Sequence, residues 1–467
     1  MSMSSAPSSR RALCALLAAA LTLSGCSSLI RTPYTAPRLE SPASWLHADK
    51  TGSTTPASLQ RWWEAFADPA LNAHMEEALR SNADLAAAAI TLRRARLQAG
   101  LADSDLWPTA SASVGQKLSR PMRGEKSISR SYSASAGLSW QLDLWGKLAS
   151  ARDASQWEAS ATEEDRNATA LSLSGSVATF YWQLGLLNEE VALSRQNLEY
   201  SEKTLDLTRR KFAAGAVSRL DVLSAEQSIA SQRSSLANLI QQQEEARTSF
   251  ALLFGGAPQR RFDEPATLPR SNLPEVEPGL PASLLAARPD LKAAELRLRS
   301  TLASGDATRA SYYPDLSLTG SLGSSSDRLR SVLNNPVAAL ATELSLPFLN
   351  AREMRLSKQV AQADYDLAVV NFRKTFYTAL GDVENALSAR RQYQEQAAEL
   401  ERSLAAAEEI ERINDARYRA GAIPLQTLLD AQQTRRSAQT SLIQTRYNLL
   451  ASQATLNLAL GGNFSAQ

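Results

Sequence analysis

Two histidines, His47 and His74, and two cysteines, Cys14 and Cys26, are all that this chain of 467 residues offers for transition-metal or thiol chemistry. It has no Gly-rich phosphate loop, no Gly-x-Ser-x-Gly elbow and no His–Glu pair at metal spacing. An enzyme, a metal site and a cofactor are therefore not expected, and His74 is expected on a helix surface. The thiol with a distinctive setting is Cys26. It follows Leu23-Ser24-Gly25 at the end of the apolar run Ala12 to Leu23, which Arg10 and Arg11 precede. That run is too short to cross a bilayer as a helix and reads as a secretory leader over residues 1–25. Two carboxylates also draw notice. Asp221 and Asp430 each lie just past a glycine that interrupts a long helical pattern, where the helix macrodipole alone would favour an acid in the first turn.

These two carboxylates lie in two copies of one element. Lys211-Phe-Ala-Ala-Gly-Ala-Val-Ser-Arg-Leu-Asp221 recurs 206 residues later as Arg417-Tyr-Arg-Ala-Gly-Ala-Ile-Pro-Leu-Gln-Thr427, so Tyr418 answers Phe212 and Gly421 answers Gly215. Each copy ends a helix at a glycine and starts another, a tight helix–turn–helix tip. The same offset matches Asn82-Ala-Asp-Leu85 to Arg288-Pro-Asp-Leu291, Pro108 to Pro314, and Gly255-Gly256 to Gly461-Gly462. The chain is one duplicated unit. Residues 61–256 form the first copy and 288–462 the second, joined by a Pro-rich link over 257–287. A Pro- and Ser-rich extended tether over 26–60 precedes them and a tail over 463–467 follows.

Within each copy the period changes from helical to two and back. Asp68 and Pro69 open a helix expected to run to about Asp103. Strands are expected at about 107–118 and 131–145, and again at about 315–323 and 337–348. In the second of these, Tyr132, Ala134, Ala136, Leu138, Trp140, Leu142 and Leu144 share one face, with Ser133, Ser135, Gly137, Ser139, Gln141 and Asp143 opposite. A strand greasy on one side and polar on the other, with aromatic residues near its ends, suits a transmembrane barrel. Long helices are expected over 146–214 and 220–254, then 351–420 and 424–460. At 1.5 Å per residue the first is roughly 100 Å of helix. Leu356, Val360, Ala363, Leu367 and Val370 space as a coiled-coil seam. Four strands are too few to close a barrel, and open edges are not tolerated in lipid, so several copies must share one barrel. With 50 basic and 48 acidic residues, no charge field points to nucleic acid.

Leu23-Ser24-Gly25-Cys26 resembles the lipobox of bacterial lipoproteins, which implies a thioether-linked diacylglycerol on Cys26 as the one covalent group. Add Trp62-Trp63-x-x-Phe66-x-Asp68-Pro69-x-Leu71, the duplicated helix–strand–strand–helix unit, the Gly tips and the closing Leu458-Ala-Leu-Gly-Gly462. Together these resemble the TolC-like outer-membrane factors, in particular the lipoprotein branch that serves RND-type multidrug efflux pumps. The resemblance implies an α+β membrane protein of the Gram-negative outer membrane. Each chain would form one third of a trimeric 12-stranded β-barrel continued by a long periplasmic α-helical barrel. It implies a passive exit duct partnered by a periplasmic adaptor, which meets the tip turns at Gly215 and Gly421, and by an inner-membrane pump. It also implies a periplasmic constriction at Asp430, with Thr427 and Gln426 beside it, and a latch of Asp221 with Tyr418. Thr427 stands where the family has a second acid, and Ile423 where some members carry an arginine. A duct for type I protein secretion or metal-ion efflux is the alternative within this reading, and a lipid-anchored coiled-coil stalk is the alternative from another class.

Overall fold

A computed structural model of the protein describes residues 31–47, 61–123, 128–270, 273–274 and 281–462. The leader, Cys26, part of the 26–60 segment and the 463–467 tail lie outside the described residues. The helices are α1 Pro69–Ser81, α2 Ala83–Ser104, α3 Lys147–Ala213, α4 Arg219–Leu252, α5 Leu284–Ala287, α6 Pro289–Ala310, α7 Ala351–Arg419 and α8 Leu425–Ala459. The strands are β1 Thr109–Ser119, β2 Ser129–Leu142, β3 Asp315–Ser326 and β4 Val337–Ser345. Two compact units divide the described residues, one of those within 31–39, 90–164 and 292–374, the other of those within 40–89, 165–291 and 375–462.

The first unit holds one antiparallel sheet in the order β1-β2-β3-β4. Thr109 stands opposite Ser139 in the first hairpin and Asp315 opposite Ser345 in the second, so the duplication extends to the strand register. β2 joins the copies by pairing with β3 over Tyr132–Ser326 to Leu142–Leu316. β2 stops at Leu142, short of the expected Trp145, because Asp143 is taken up in capping α3. Its carboxylate accepts from the Leu148 N–H at 3.1 Å and the Ala149 N–H at 2.8 Å. β4 likewise stops at Ser345, before a short 3-10 turn over Pro347–Leu349 whose proline has no N–H to give a ladder. Residues 31–39 are extended but not loose. Thr32 bonds Asp306 through its N–H and hydroxyl at 3.0 and 2.9 Å, and Arg31 pairs with Asp153 at 2.9 Å. The expected seam from Leu356 to Val370 is exposed, with Val360 60% accessible.

The second unit is built on a core of Trp62, Trp63, Leu71, Met75, Val177, Tyr181, Trp182 and Phe250. Asp68 caps α1 by accepting from Ala70 and Leu71, and Tyr181 donates to its second oxygen at 3.0 Å. His74, expected at the surface, is instead 7% exposed. It lies one turn from Leu71 and Ala78 on the buried face of α1. Its Nε2 is 2.8 Å from the Asp263 carbonyl, and Phe250 and Phe262 pack edge-on to its ring. A satisfied core histidine needs no further role.

The helix expected from Pro69 to Asp103 is also broken, at Asn82, whose ψ of 132° leaves the helical region. The break serves the packing of the copy. The Asn82 side chain accepts from Leu85 N–H at 2.9 Å and donates to the Leu253 carbonyl at 2.8 Å, at the end of α4. Arg288 repeats this 206 residues on, donating to the Ala459 carbonyl at 3.1 Å. Gly255 and Gly461 make both approaches possible. Their φ values are +64° and +92°, and a Cβ would lie 2.5 Å from the Ser81 carbonyl oxygen and 2.7 Å from the Ala287 carbonyl carbon. Gly255→Ala and Gly461→Ala should each cost about 1–3 kcal/mol of stability. Both should lower the thermal midpoint of the purified protein, whereas Gly256→Ala, whose Cβ meets open space, should leave it nearly unchanged. Equal shifts for all three would overturn this packing account.

Candidate functional site

Two surfaces hold the candidate functional residues, one in each unit. The first is the sheet. Strand pairing keeps even-numbered residues on one face of all four strands. Ala110, Leu138, Gly320 and Leu340 fall in one cross-strand row, Leu142, Leu316 and Leu344 in another. The opposite face is small and polar on β1 to β3, with Ser111, Gly137 and Ser321 in one row and Thr109, Ser139 and Thr319 in the next, while β4 adds Val337, Ala339 and Ala341. The apolar face is bare, with Val114 85%, Leu340 81% and Leu344 61% exposed. Trp140 and Trp145 aim their indole N–H groups at the Leu106 and Pro314 carbonyls at 3.0 and 2.9 Å, and the Trp145 ring lies 5.0 Å from that of Tyr313. Aromatic rings with one polar anchor collect at a membrane interface. Among the described residues no helix is long and apolar enough to cross a membrane.

The second surface is the pair of helical tips. α3 and α7 end alike. The Gly215 and Gly421 N–H groups bond the Phe212 and Tyr418 carbonyls at 2.9 and 3.0 Å, and those of Ala216 and Ala422 reach back to Lys211 and Arg417 at 2.9 Å. This paired pattern demands a left-handed residue, and the two glycines supply φ of +75° and +77°. The helices that follow start differently. Ser218 caps α4 in a reciprocal box with Asp221, whose carboxylate accepts from the Ser218 N–H at 2.8 Å and hydroxyl at 2.7 Å. The matching residues of α8 are Pro424 and Thr427, and Pro424 makes no such cap.

Tyr418 is the centre of the tip. It is 1% exposed and packs with Ala225, Leu425 and Leu428. Its hydroxyl is 2.9 Å from Thr208 Oγ1, which itself donates to the Thr204 carbonyl at 2.8 Å. The single Thr208 hydrogen is thus used, and Tyr418 is the donor in the pair. Lys211 covers the other side, with Nζ bonded to the Tyr418 carbonyl and 4.2 Å from its ring centroid. Burial, and the charge of Asp221, raise the Tyr418 hydroxyl above the usual phenol range. Among the described residues no hydrogen bond joins Asp221 to Tyr418. The sequence does not mark Thr208, a threonine inside a long helix, and although Lys211 opens the repeated element, nothing local shows that it meets Tyr418.

Asp430 projects from the exposed stripe of α8 that includes Gln426, Thr427, Gln433 and Thr434. The Gln426 amide donates to its carboxylate at 2.8 Å, leaving the other oxygen to solvent. Deeper between the helices, Arg435 pairs with Glu411 and donates to Asn197 at 2.7 Å, while Tyr200 donates to Asp415 at 3.0 Å. Burial and the Asp415 charge push the Tyr200 hydroxyl up to about 12. Among the described residues no cluster of His, Cys, Asp or Glu suits a metal ion.

Both copies of this arrangement match the profile of the outer membrane efflux protein family, over residues 75–256 and 280–462. The chain belongs to this family. The resemblance to TolC-like outer-membrane factors holds, and with it an outer-membrane location and a part in efflux. The pyoverdine export outer membrane protein OpmQ of Pseudomonas putida is 33% identical over 473 residues, covering 98% of each chain. Toxin and drug export protein A of Aggregatibacter actinomycetemcomitans is 30% identical over 408 residues, 87% of this chain and 89% of that one. The crystal structure of the Campylobacter jejuni CmeC outer membrane channel superposes with a TM-score of 0.86 at 25% identity, covering 94% of this chain and 96% of that one.

A double-mutant cycle tests the contact at the centre of the tip. Tyr418→Phe and Thr208→Val should each speed amide hydrogen exchange around Gly421, with a coupling of about 1 kcal/mol between them. Strict additivity would mean that the two hydroxyls do not support one another.

Proposed function

We propose that this chain is the passive outer-membrane exit duct of a tripartite efflux system. It works as a homotrimer with a periplasmic adaptor and an inner-membrane RND-type pump. The observation that carries this reading is the four-stranded sheet with a continuous apolar face and two free edges, on β1 and β4. Those edges need partners in hydrocarbon, and three chains supply twelve strands. The exposed seam of α7 has the same logic, since a coiled-coil stripe left bare on one chain is covered by a neighbour. Cys26 carries the lipid anchor, a reading that rests on Leu23-Ser24-Gly25-Cys26. The work of export comes from the pump, and the chain contributes a wall and a gate rather than catalysis.

The gate reading assigns different work to the tip residues. Asp430, with Gln426 and Thr427 beside it, lines the narrowest part of the periplasmic end, where three carboxylates form a cation-selective ring. Tyr418 and Asp221 hold the tips closed, and the turns at Gly215 and Gly421 meet the adaptor. Asp221→Ala should raise single-channel conductance in a planar bilayer. Asp430→Ala should leave closure intact but reduce cation preference and block by multivalent cations. Unchanged conductance in the first, or unchanged selectivity in the second, removes that residue from the gate. For the duct itself, a deletion strain should become sensitive to antibiotics, dyes and detergents. If loss were confined to a secreted protein or to metal-ion tolerance, the chain would serve type I secretion or metal export instead.

A further inference from the structure

The duplication carries more information about the assembly than the number of strands. Because both hairpins share one register, the sheet has an internal repeat that maps β1 onto β3 and β2 onto β4. Within the described sheet the two copies meet where β2 pairs with β3, with Leu138 opposite Gly320 and Ala134 opposite Ser324. If the barrel closes with the same repeat, the junction between chains is the same junction moved on by one copy. Resting on the shared-barrel reading above, we propose that β4 of one chain pairs with β1 of a second copy in the register that the β2–β3 junction dictates. Leu344 then stands opposite Val114 of the second copy, Leu340 opposite its Leu118, and Ala341 opposite its Lys117.

Three observations favour that register. It keeps parity, so the greasy residues of both edges, Val114, Leu118, Leu340 and Leu344, join the same apolar face. A slip of one residue would turn every side chain of the seam to the wrong side. It also pairs the two edges along most of their length, from Ala339 with Ser119 to Ser345 with Ser113.

The third observation is charge. The four strands contain four charged residues, Lys117, Arg130, Asp315 and Glu343. Asp315 is matched within the chain by Lys147 at 3.3 Å, and Arg130 lies on the even-numbered face at the start of β2, opposite Leu118. Lys117 and Glu343 remain, both on the polar face and on opposite edges of the sheet, β1 and β4. Two intervening strands keep them apart in one chain. In the proposed register they become diagonal neighbours across the seam, two residues out of direct opposition. Long side chains meet across that diagonal, and opposite charges there stabilise a strand pair. Each chain thus carries the two halves of an ion pair that only a second copy completes, and the trimer has three such pairs on its polar face.

Paired cysteines in the full-length chain test the register. Val114→Cys with Leu344→Cys, purified in detergent and oxidised with copper phenanthroline, should yield covalent trimer at least tenfold above the slipped combinations Ala112→Cys with Leu344→Cys and Gln116→Cys with Leu344→Cys. Directly opposed strand residues fall within disulfide reach and slipped ones do not. Glu343→Lys alone should lower the temperature at which the trimer dissociates in detergent, and adding Lys117→Glu should restore it. A trimeric mass with the strongest cross-link at a slipped pair would overturn the register while leaving the shared barrel standing. A single-chain mass with no cross-link would overturn the shared barrel and this seam with it. Failure of Lys117→Glu to rescue Glu343→Lys would overturn the ion pair.

Discussion

A backbone amide or carbonyl left without a partner in hydrocarbon costs several kcal/mol, and that constraint governs this molecule more than any side chain does. β1 and β4 each expose one row of such groups. Among the described residues no strand covers either edge, because the sheet runs β1-β2-β3-β4 without returning on itself. The alternation of small polar and apolar residues only makes sense once the sheet is curved, with lipid on one side and water on the other. Ser, Thr and Gly on the inner face fit a wall that must not bind what passes along it. The apolar face that looks costly on an isolated chain, Val114 and Leu340 above all, is the face that the membrane solvates.

The same accounting of backbone groups explains the helix ends. The last carbonyls of α3 and α7 are satisfied by N–H groups turned back through Gly215 and Gly421. At the ends of α4 and α8 backbone N–H groups also turn back on the last carbonyls, and a side chain from the start of the same copy meets one carbonyl more. Asn82 reaches Leu253 and Arg288 reaches Ala459, an amide in one copy and a guanidinium in the other doing one job at one place. Arg288 is mostly buried, and Asp290 and Asp382 balance its charge at 2.8 and 3.2 Å. The first copy needs no such pair because an amide carries no charge.

What could be read from the residues alone was whatever repeats or alternates. The duplication, the tip glycines, the long helices and the two faces of the strands all have a period, and a period survives in a single sequence. What could not be read depends on partners far along the chain. Asn82 breaks a helix whose local pattern would continue, because Leu253 and Gly255 wait for it. β2 ends at Leu142 because Asp143 is worth more as a cap than as a strand residue. His74 could have been placed from its spacing with Leu71, Met75 and Ala78, but a lone histidine does not announce burial. Thr208 and Lys211 are contacts of Tyr418 made across two helices, and no local signal records them.

The two tips differ where a moving part would need them to differ. The φ angles of their glycines agree to within a few degrees, yet Phe212 is 41% exposed while Tyr418, its counterpart, is 1% exposed. α4 starts in a capping box, a local device worth about 1 kcal/mol that does not depend on any other helix. α8 has no such cap, and its first turn is held instead by Leu425 and Leu428 packed on Tyr418. The start of α4 is therefore secured within itself, and the start of α8 is secured by its neighbours. Any force that draws α7 away from α3 must break the Tyr418–Thr208 hydrogen bond and uncover Leu425 and Leu428 together, since both rest on one side chain. α4 would keep its own cap throughout. Of two copies of one tip, the first is thus secured by its own cap and the second by packing between helices, and Asp430 lies on the second.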